Sequence, residues 1–369
     1  MRNVLISGAS VAGPALAYWL RRHGFAATIV ERAPAMRAGG QAIDVRGTAL
    51  DVIDRMGLLA DLRAMRTRMR GMSVVDADGN ELSRSTEYAA SSGRLDSEDV
   101  EVLREDLTDL LYRHTAGDVE YLFGDSITAL DQDDSGVRAT FERGAPRTFD
   151  IVVGADGLHS NVRRRAFGPE ADCLHHLGTY LSVFTMENFL GLDEWQLWFN
   201  EGDVGGAVYT ARDNTELRVN LGFRSDPIAY DYRDVDAQRR MIADRFAGMG
   251  WEVPRMLEGM WKAPDFYFDA MAQVKLDSWT RGRVTLVGDA GYCASPLSGQ
   301  GTSLALVGAY VLAAELGAAD GNHAAGLAGY ERRMRPFVAL NQALATENPG
   351  RGASEESGER AKRAISLDD

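Results

Sequence analysis

The chain has 369 residues, 45% of them hydrophobic, with a formal net charge of −14 and a pI near 5.0. That length buries a full core and accommodates two lobes. The acidic balance, with no basic stripe, excludes nucleic acid as a partner, because phosphate binding needs clustered Lys and Arg. The two cysteines, Cys173 and Cys293, lack C-x-x-C spacing and so exclude a dithiol pair of neighbouring residues and a metal framework.

Val4-Leu5-Ile6 predicts a short buried strand, and Gly8-Ala9-Ser10-Val11-Ala12-Gly13 a tight turn. Residues 14–23 predict a helix ended by Gly24, and Thr28-Ile29-Val30 a second strand that stops on Glu31. Strand, glycine turn, helix, strand and acid in that order are the pattern of an adenine-dinucleotide site. The turn residues are small so that a pyrophosphate can approach backbone N–H groups at a helix N-terminus, where the helix dipole favours negative charge. A carboxylate at Glu31 can accept both ribose hydroxyls and would repel a 2′-phosphate. The middle glycine of the usual G-x-G-x-x-G is Ser10 here.

Residues 36–46 then read as a glycine-containing loop, 47–56 as a helix and 72–83 as a hairpin around Asp78-Gly79. Residues 101–115 have helical periodicity, and 119–123, 137–141 and 149–154 predict strands. From 177 to 224 the texture becomes alternating and aromatic-rich, as in an antiparallel sheet with one covered face. Phe184, Trp198, Tyr209 and Phe223 there are candidates either for core or for a ligand pocket. Residues 283–289 return to a buried-strand pattern. The uncharged stretch 290–314 follows, of which only 304–314 is continuously apolar or small, about half a membrane span. A buried helix, no membrane and a cytoplasmic location are expected, since a strand begins too early for a signal peptide. Residues 347–369 lose apolar content and read as a mobile tail.

Three motifs stand in order: Gly8-x-Ser10-x-x-Gly13 with Glu31, then Gly154-Ala155-Asp156-Gly157 with Arg163 nearby, then Gly288-Asp289-Ala290 with Pro296 and Gly299-Gln300-Gly301. With these residues the sequence resembles the class A flavoprotein monooxygenases, which share the p-hydroxybenzoate hydroxylase-like fold, and in texture their TetX-like branch. The resemblance covers nearly the whole chain. It implies an α/β fold: an FAD-binding Rossmann-like domain of the glutathione reductase-2 type, joined to an antiparallel-sheet substrate domain. The expected boundaries are 1–70, 101–172 and 275–346 for the first and 173–274 with 71–100 for the second.

The resemblance also implies a set of FAD contacts: Gly8, Ala9, Ser10, Ala12, Gly13, Glu31, Arg32, Asp44, Arg46, Arg104, Asp156, Asp289, Gly299, Gly301, Thr302 and Ser303. Arg37 is the candidate for NADPH or NADH, and Phe184, Trp198, Tyr209, Phe223 and Pro296 for the substrate. The sequence departs from the family at Ser303, where Asn is usual, and at Tyr292-Cys293, which replace a histidine. The implied activity is insertion of one oxygen atom from O2 into an aromatic or polyketide-like small molecule by way of a flavin C4a-hydroperoxide, in a monomer or weak homo-oligomer. No catalytic side chain and no metal are expected, because the cofactor carries the chemistry. A flavin reductase without oxygen insertion and a non-catalytic flavin-binding protein remain open. A flavin halogenase does not fit, since the first lysine is Lys262 and Trp195-Gln196-Leu197-Trp198 lacks the required Trp-x-Trp spacing.

Overall fold

Asn3–Ser7 is the inner strand of a six-stranded sheet in the computed structural model, which describes residues 2–91, 93–348 and 352–368. Leu5 pairs in parallel with Thr28 of Ala26–Glu31 on one side and with Val152 of Ile151–Gly154 on the other. Glu120–Phe123 extends the sheet at one edge. Val284–Leu286 and the short antiparallel Thr280–Arg281 extend it at the other. These strands read as unbroken apolar runs because both faces are covered, by the helix Ala12–Arg22 among others. The helix Gly301–Ala318, whose one charged residue is Glu315, is long and apolar enough to span a membrane, but it packs between Ala12–Arg22 and the 21-residue helix His323–Ala343. Being covered on most sides explains why it is apolar all round.

A seven-stranded sheet forms the second layer, in the order Phe266–Val274, Leu174–Glu187, Glu216–Arg224, Val204–Ala211, Trp195–Glu201, Gly71–Val75 and Glu81–Ser85. It is antiparallel except where Trp195–Glu201 meets Gly71–Val75 in parallel. One face packs on the helices Val235–Phe246 and Val253–Lys262, burying Phe184, Leu221, Phe223, Met256 and Met260. The other face looks toward the six-stranded sheet.

Two sequence expectations change. Residues 101–115 are not one helix: Val100–Leu103 is a strand paired antiparallel with Ala42–Val45, and the helix is Arg104–Thr115. Pairing with a strand nearly sixty residues away overrides the local helical period. The mobile tail is also corrected for its described residues. Glu355–Lys362 is a helix whose Lys362 is buried against Asp99, and Ile365 accepts a hydrogen bond from Thr48. The Lys362 ion pair, buried Ala361 and Leu367, and hydrogen bonds from Asn341, Arg333 and Tyr310 to backbone carbonyls dock a segment whose composition alone predicts mobility.

Candidate active site

A cavity of about 1640 Å³ lies between the two sheets. A single-ligand pocket measures roughly 300–1,000 Å³, so this one has room for a dinucleotide and a second molecule.

The first strand delivers the glycine turn to the cavity. Gly8 has φ +109°, and a Cβ there would strike the Ala155 carbonyl. A Cβ at Gly13 would strike the carbonyl of Gly8, so glycine at 13 lets the helix close onto the turn. Ala9 donates its N–H to Glu31 Oε2 and Ala33 donates to Oε1, each at 2.9 Å, which fixes the carboxylate beside the turn. Ser10, Val11 and Ala12 line the cavity at a helix N-terminus that no side chain caps. The N-terminus of Gly301–Ala318 is also uncapped, and Gly299, Gly301 and Thr302 line the same cavity. Two helix ends thus direct their free N–H groups at one space.

Arg104 lines the cavity from the start of its helix, its guanidinium donating to the carbonyl oxygens of Gly39 at 2.7 Å and Arg37 at 3.2 Å. Burial and the nearby Arg37 lower its pKa. Arg32 and Arg37 are exposed at the rim. Asp289 opens onto the cavity at the end of the Val284–Leu286 strand, and the surrounding protein pushes its pKa up. Asp44 is buried, with Oδ2 2.8 Å from Arg46 and Oδ1 without a partner among the described residues. Burial, opposed by Arg46, raises its pKa to about 7.

Several expected contacts stand behind the wall rather than on it. Asp156 accepts from Ser7, Ser160 and the N–H groups of Asn161 and Val162, so it ties the strand to the next helix even though it borders the cavity. Ser303 is fully buried and its hydroxyl holds the Arg46 N–H at 3.0 Å. Gly13 acts through the turn.

On the sheet side the register sorts the aromatics. Trp198, Ala207, Asn220, Val183 and Tyr267 lie in one row across the strands, and Asn200, Gly205, Gly222, Leu181 and Asp269 in the next. Both rows face the cavity. Phe184 and Phe223, expected as substrate contacts, occupy the opposite parity and are 0% and 1% exposed in the core. This corrects the assignment of Phe184; Phe223 borders the cavity although its ring packs into the core. Successive side chains of a strand point to opposite faces, so neither ring can share a face with Trp198. Tyr209 is on the cavity face, but its hydroxyl is tied to the Ala42 N–H at 2.9 Å. Pro296 and the neighbouring Leu297 are exposed at the cavity mouth.

Sequence reasoning missed His159. Its Nδ1 lies 3.0 Å from Glu170 and its Nε2 3.0 Å from Asp269, and its ring stacks on Tyr232. Burial alone would lower the pKa of this imidazole, but the two carboxylates outweigh it and hold the value at about 10. The only sequence signal was its place two residues after Gly157 in the second motif.

A family model described as an FAD binding domain matches residues 1–344. The chain belongs to that family. It is 42% identical to a flavin-dependent monooxygenase of Legionella longbeachae, over 92% of this chain and 87% of the relative. It is 54% identical to an uncharacterized protein of Mycobacterium tuberculosis over the full length of both. The crystal structure of tetracycline destructase Tet(55) superposes with a TM-score of 0.88 at 39% identity, covering 100% of this chain and 98% of that one. The chain is an FAD-dependent monooxygenase, an oxidoreductase of a family that uses NAD(P)H and O2.

The residues present suit FAD. Two uncapped helix N-termini, the acid Glu31 beside the first of them, and Asp44, whose buried Oδ1 has no partner among the described residues, all border a cavity of dinucleotide size. The helix ends supply donors, and Asp44 an acceptor, that the described residues leave unused.

Proposed function

We propose that this FAD-dependent monooxygenase inserts one oxygen atom of O2 into a large, flat, multi-ring substrate bearing phenol or enol groups, of the aromatic polyketide kind. The observation that carries this reading is the cross-strand pair Gly205 and Gly222 on the cavity face, bordered by Trp198, Leu181 and Tyr267. Where no Cβ intervenes, a planar ring system can lie close to the sheet backbone. Apolar side chains then exclude water, and the Asn200 and Asn220 carboxamides can bond carbonyl or hydroxyl oxygens. The likeness to Tet(55), and to tetracycline destructase Tet(51) at 38% identity and TM-score 0.87, supports the same class.

For the cofactor, we assign the Ser10–Ala12 helix end to the pyrophosphate and Glu31 to the ribose hydroxyls. Arg104 takes a phosphate or ring carbonyl, and Asp289 a ribityl hydroxyl. The Gly301 and Thr302 N–H groups face the flavin pyrimidine ring, where they stabilise negative charge. Asp44 supplies a further acceptor, and Arg37 at the rim attracts the phosphates of a visiting NADPH or NADH. When bound, FAD accepts a hydride from NAD(P)H and supplies the activated oxygen. The protein's part is to hold the two molecules against each other and keep water out. The two buried free cysteines suit a reducing compartment, which supports a cytoplasmic location.

The test is turnover of tetracycline as a probe by the purified holoenzyme with NADPH or NADH. The reading expects tetracycline to be consumed in step with the coenzyme and to gain one oxygen atom. Coenzyme oxidation that leaves tetracycline and a panel of multi-ring phenols untouched, while small aliphatic compounds react, would overturn it.

A further inference from the structure

Lys362 is one of three lysines in the chain and is only 5% exposed. Its Nζ lies 2.8 Å from Asp99 Oδ2, and the other oxygen of Asp99 accepts the Gly47 N–H at 3.1 Å. Gly47 has φ +52°, and a Cβ there would collide with the Lys362 carbonyl. The C-terminal helix therefore sits directly on the turn that follows Arg46. On the other side of that turn, the Arg46 guanidinium donates to Asp44 Oδ2 at 2.8 Å and to the Ser91 carbonyl at 3.3 Å. Three carboxylates share this region: Asp44, Asp99 and Glu101. Glu101 is satisfied by the hydroxyls of Thr67 and Ser91. Asp44 and Asp99 depend on two cations, Arg46 and Lys362, and Lys362 is shared with the exposed Glu359 at 2.5 Å.

We propose that Lys362 is a positioning residue for the FAD site: it neutralises Asp99, leaving Arg46 to Asp44, a residue that borders the cavity. Without the lysine charge, the largely buried Asp99 loses its ion-pair partner, and Arg46, whose charge already interacts with Asp99, is drawn toward it. An Arg46 drawn toward Asp99 releases Asp44, which then protonates more readily and ceases to be a charged acceptor. The segment that composition marks as a tail thus acts on the cofactor through three residues. This inference rests on the assignment of the Asp44 wall to FAD and is independent of the substrate.

Quenching of flavin fluorescence on titrating FAD with the full-length apoprotein tests it. K362M is expected to raise the FAD Kd about tenfold, the order seen when the partner behind a direct ligand is removed. K362R keeps the charge and should bind nearly as the wild type does. The double variant D99N/K362M removes the orphaned anion together with the lysine, and its Kd should return toward the wild-type value. Unchanged binding by K362M overturns the proposal. So does a double variant as weak as K362M, which would mean that the helix matters only by docking. Should K362M not fold, the double variant decides alone, with wild-type-like affinity supporting the charge argument and weak binding contradicting it. D44N separates this inference from the site assignment, because unchanged FAD binding by D44N would refute the assignment itself.

Discussion

His159 Nε2 stands 3.0 Å from Asp269 Oδ2, joining the loop after the Ile151–Gly154 strand to the cavity-facing edge of the seven-stranded sheet. Glu170 completes the bridge and is itself held by Arg163 at 3.1 Å, while Asp269 also accepts from Tyr230 at 2.9 Å. One imidazolium thus bridges two carboxylates where the layers meet, and Arg163 supplies the second positive charge.

H159N is therefore expected to destabilise the protein by about 2–3 kcal/mol at pH 7, somewhat under the full cost of breaking a buried pair because Glu170 is partly exposed. The folded-state pKa, about 10, lies above the ordinary 6.5. The stabilisation is therefore complete below about pH 6.5, declines as pH rises and is lost above 10. Urea denaturation of both proteins across that range checks this. A stability gap that widens toward pH 10 would contradict it.

G13A places a methyl group against the Gly8 carbonyl and forces the first helix off the turn. Overpacking of this kind costs about 1–3 kcal/mol. Its larger effect should be on flavin content, since the helix end is displaced from the phosphate position. The ratio of flavin to protein absorbance after purification should fall to a small fraction of the wild-type value.

Much of the nucleotide side was legible because it is local. Gly8, Gly13 and Glu31 lie within one strand–helix–strand unit, and the uncharged run that ends at Ala314 marks the helix after Gly301. What was hidden depends on partners distant in sequence. Asp269 is 110 residues from His159, and Asp99 is 263 residues from Lys362. Neither pair leaves a periodic trace. Phe184 was misplaced for a related reason: period two divides a strand into two faces, but only the pairing register says which face meets the cavity. The glycines at 205 and 222 were visible in the sequence, and only their cross-strand pairing makes them a floor.

That sorting of faces is itself testable. F184A empties a fully buried core position and should cost about 3–5 kcal/mol in chemical denaturation. W198A removes a cavity-wall side chain and should cost only about 1 kcal/mol, while raising KM for the multi-ring probe substrate. The opposite ranking in stability would mean that the sheet presents its other face.

Asp44 gives the FAD site a pH dependence near neutrality. Its pKa of about 7 reflects burial, opposed by Arg46 and reinforced by Glu101 and Asp99. If the ionised carboxylate accepts a cofactor hydroxyl, FAD affinity rises as pH increases through about 7 and levels off above 8. D44N should bind FAD more weakly and show no such rise. FAD titrations at a series of pH values between 6 and 8 distinguish the two profiles.

The most direct test of the central claim is the fate of oxygen during turnover. The holoenzyme, supplied with NADPH or NADH and the probe substrate under isotopically heavy O2, is predicted to place one heavy atom in the product for each coenzyme oxidised. The second oxygen atom leaves as water. Coenzyme oxidation that ends only in hydrogen peroxide, with an unlabelled substrate for every multi-ring phenol tried, would contradict oxygen insertion and identify a flavin reductase or oxidase on the same fold.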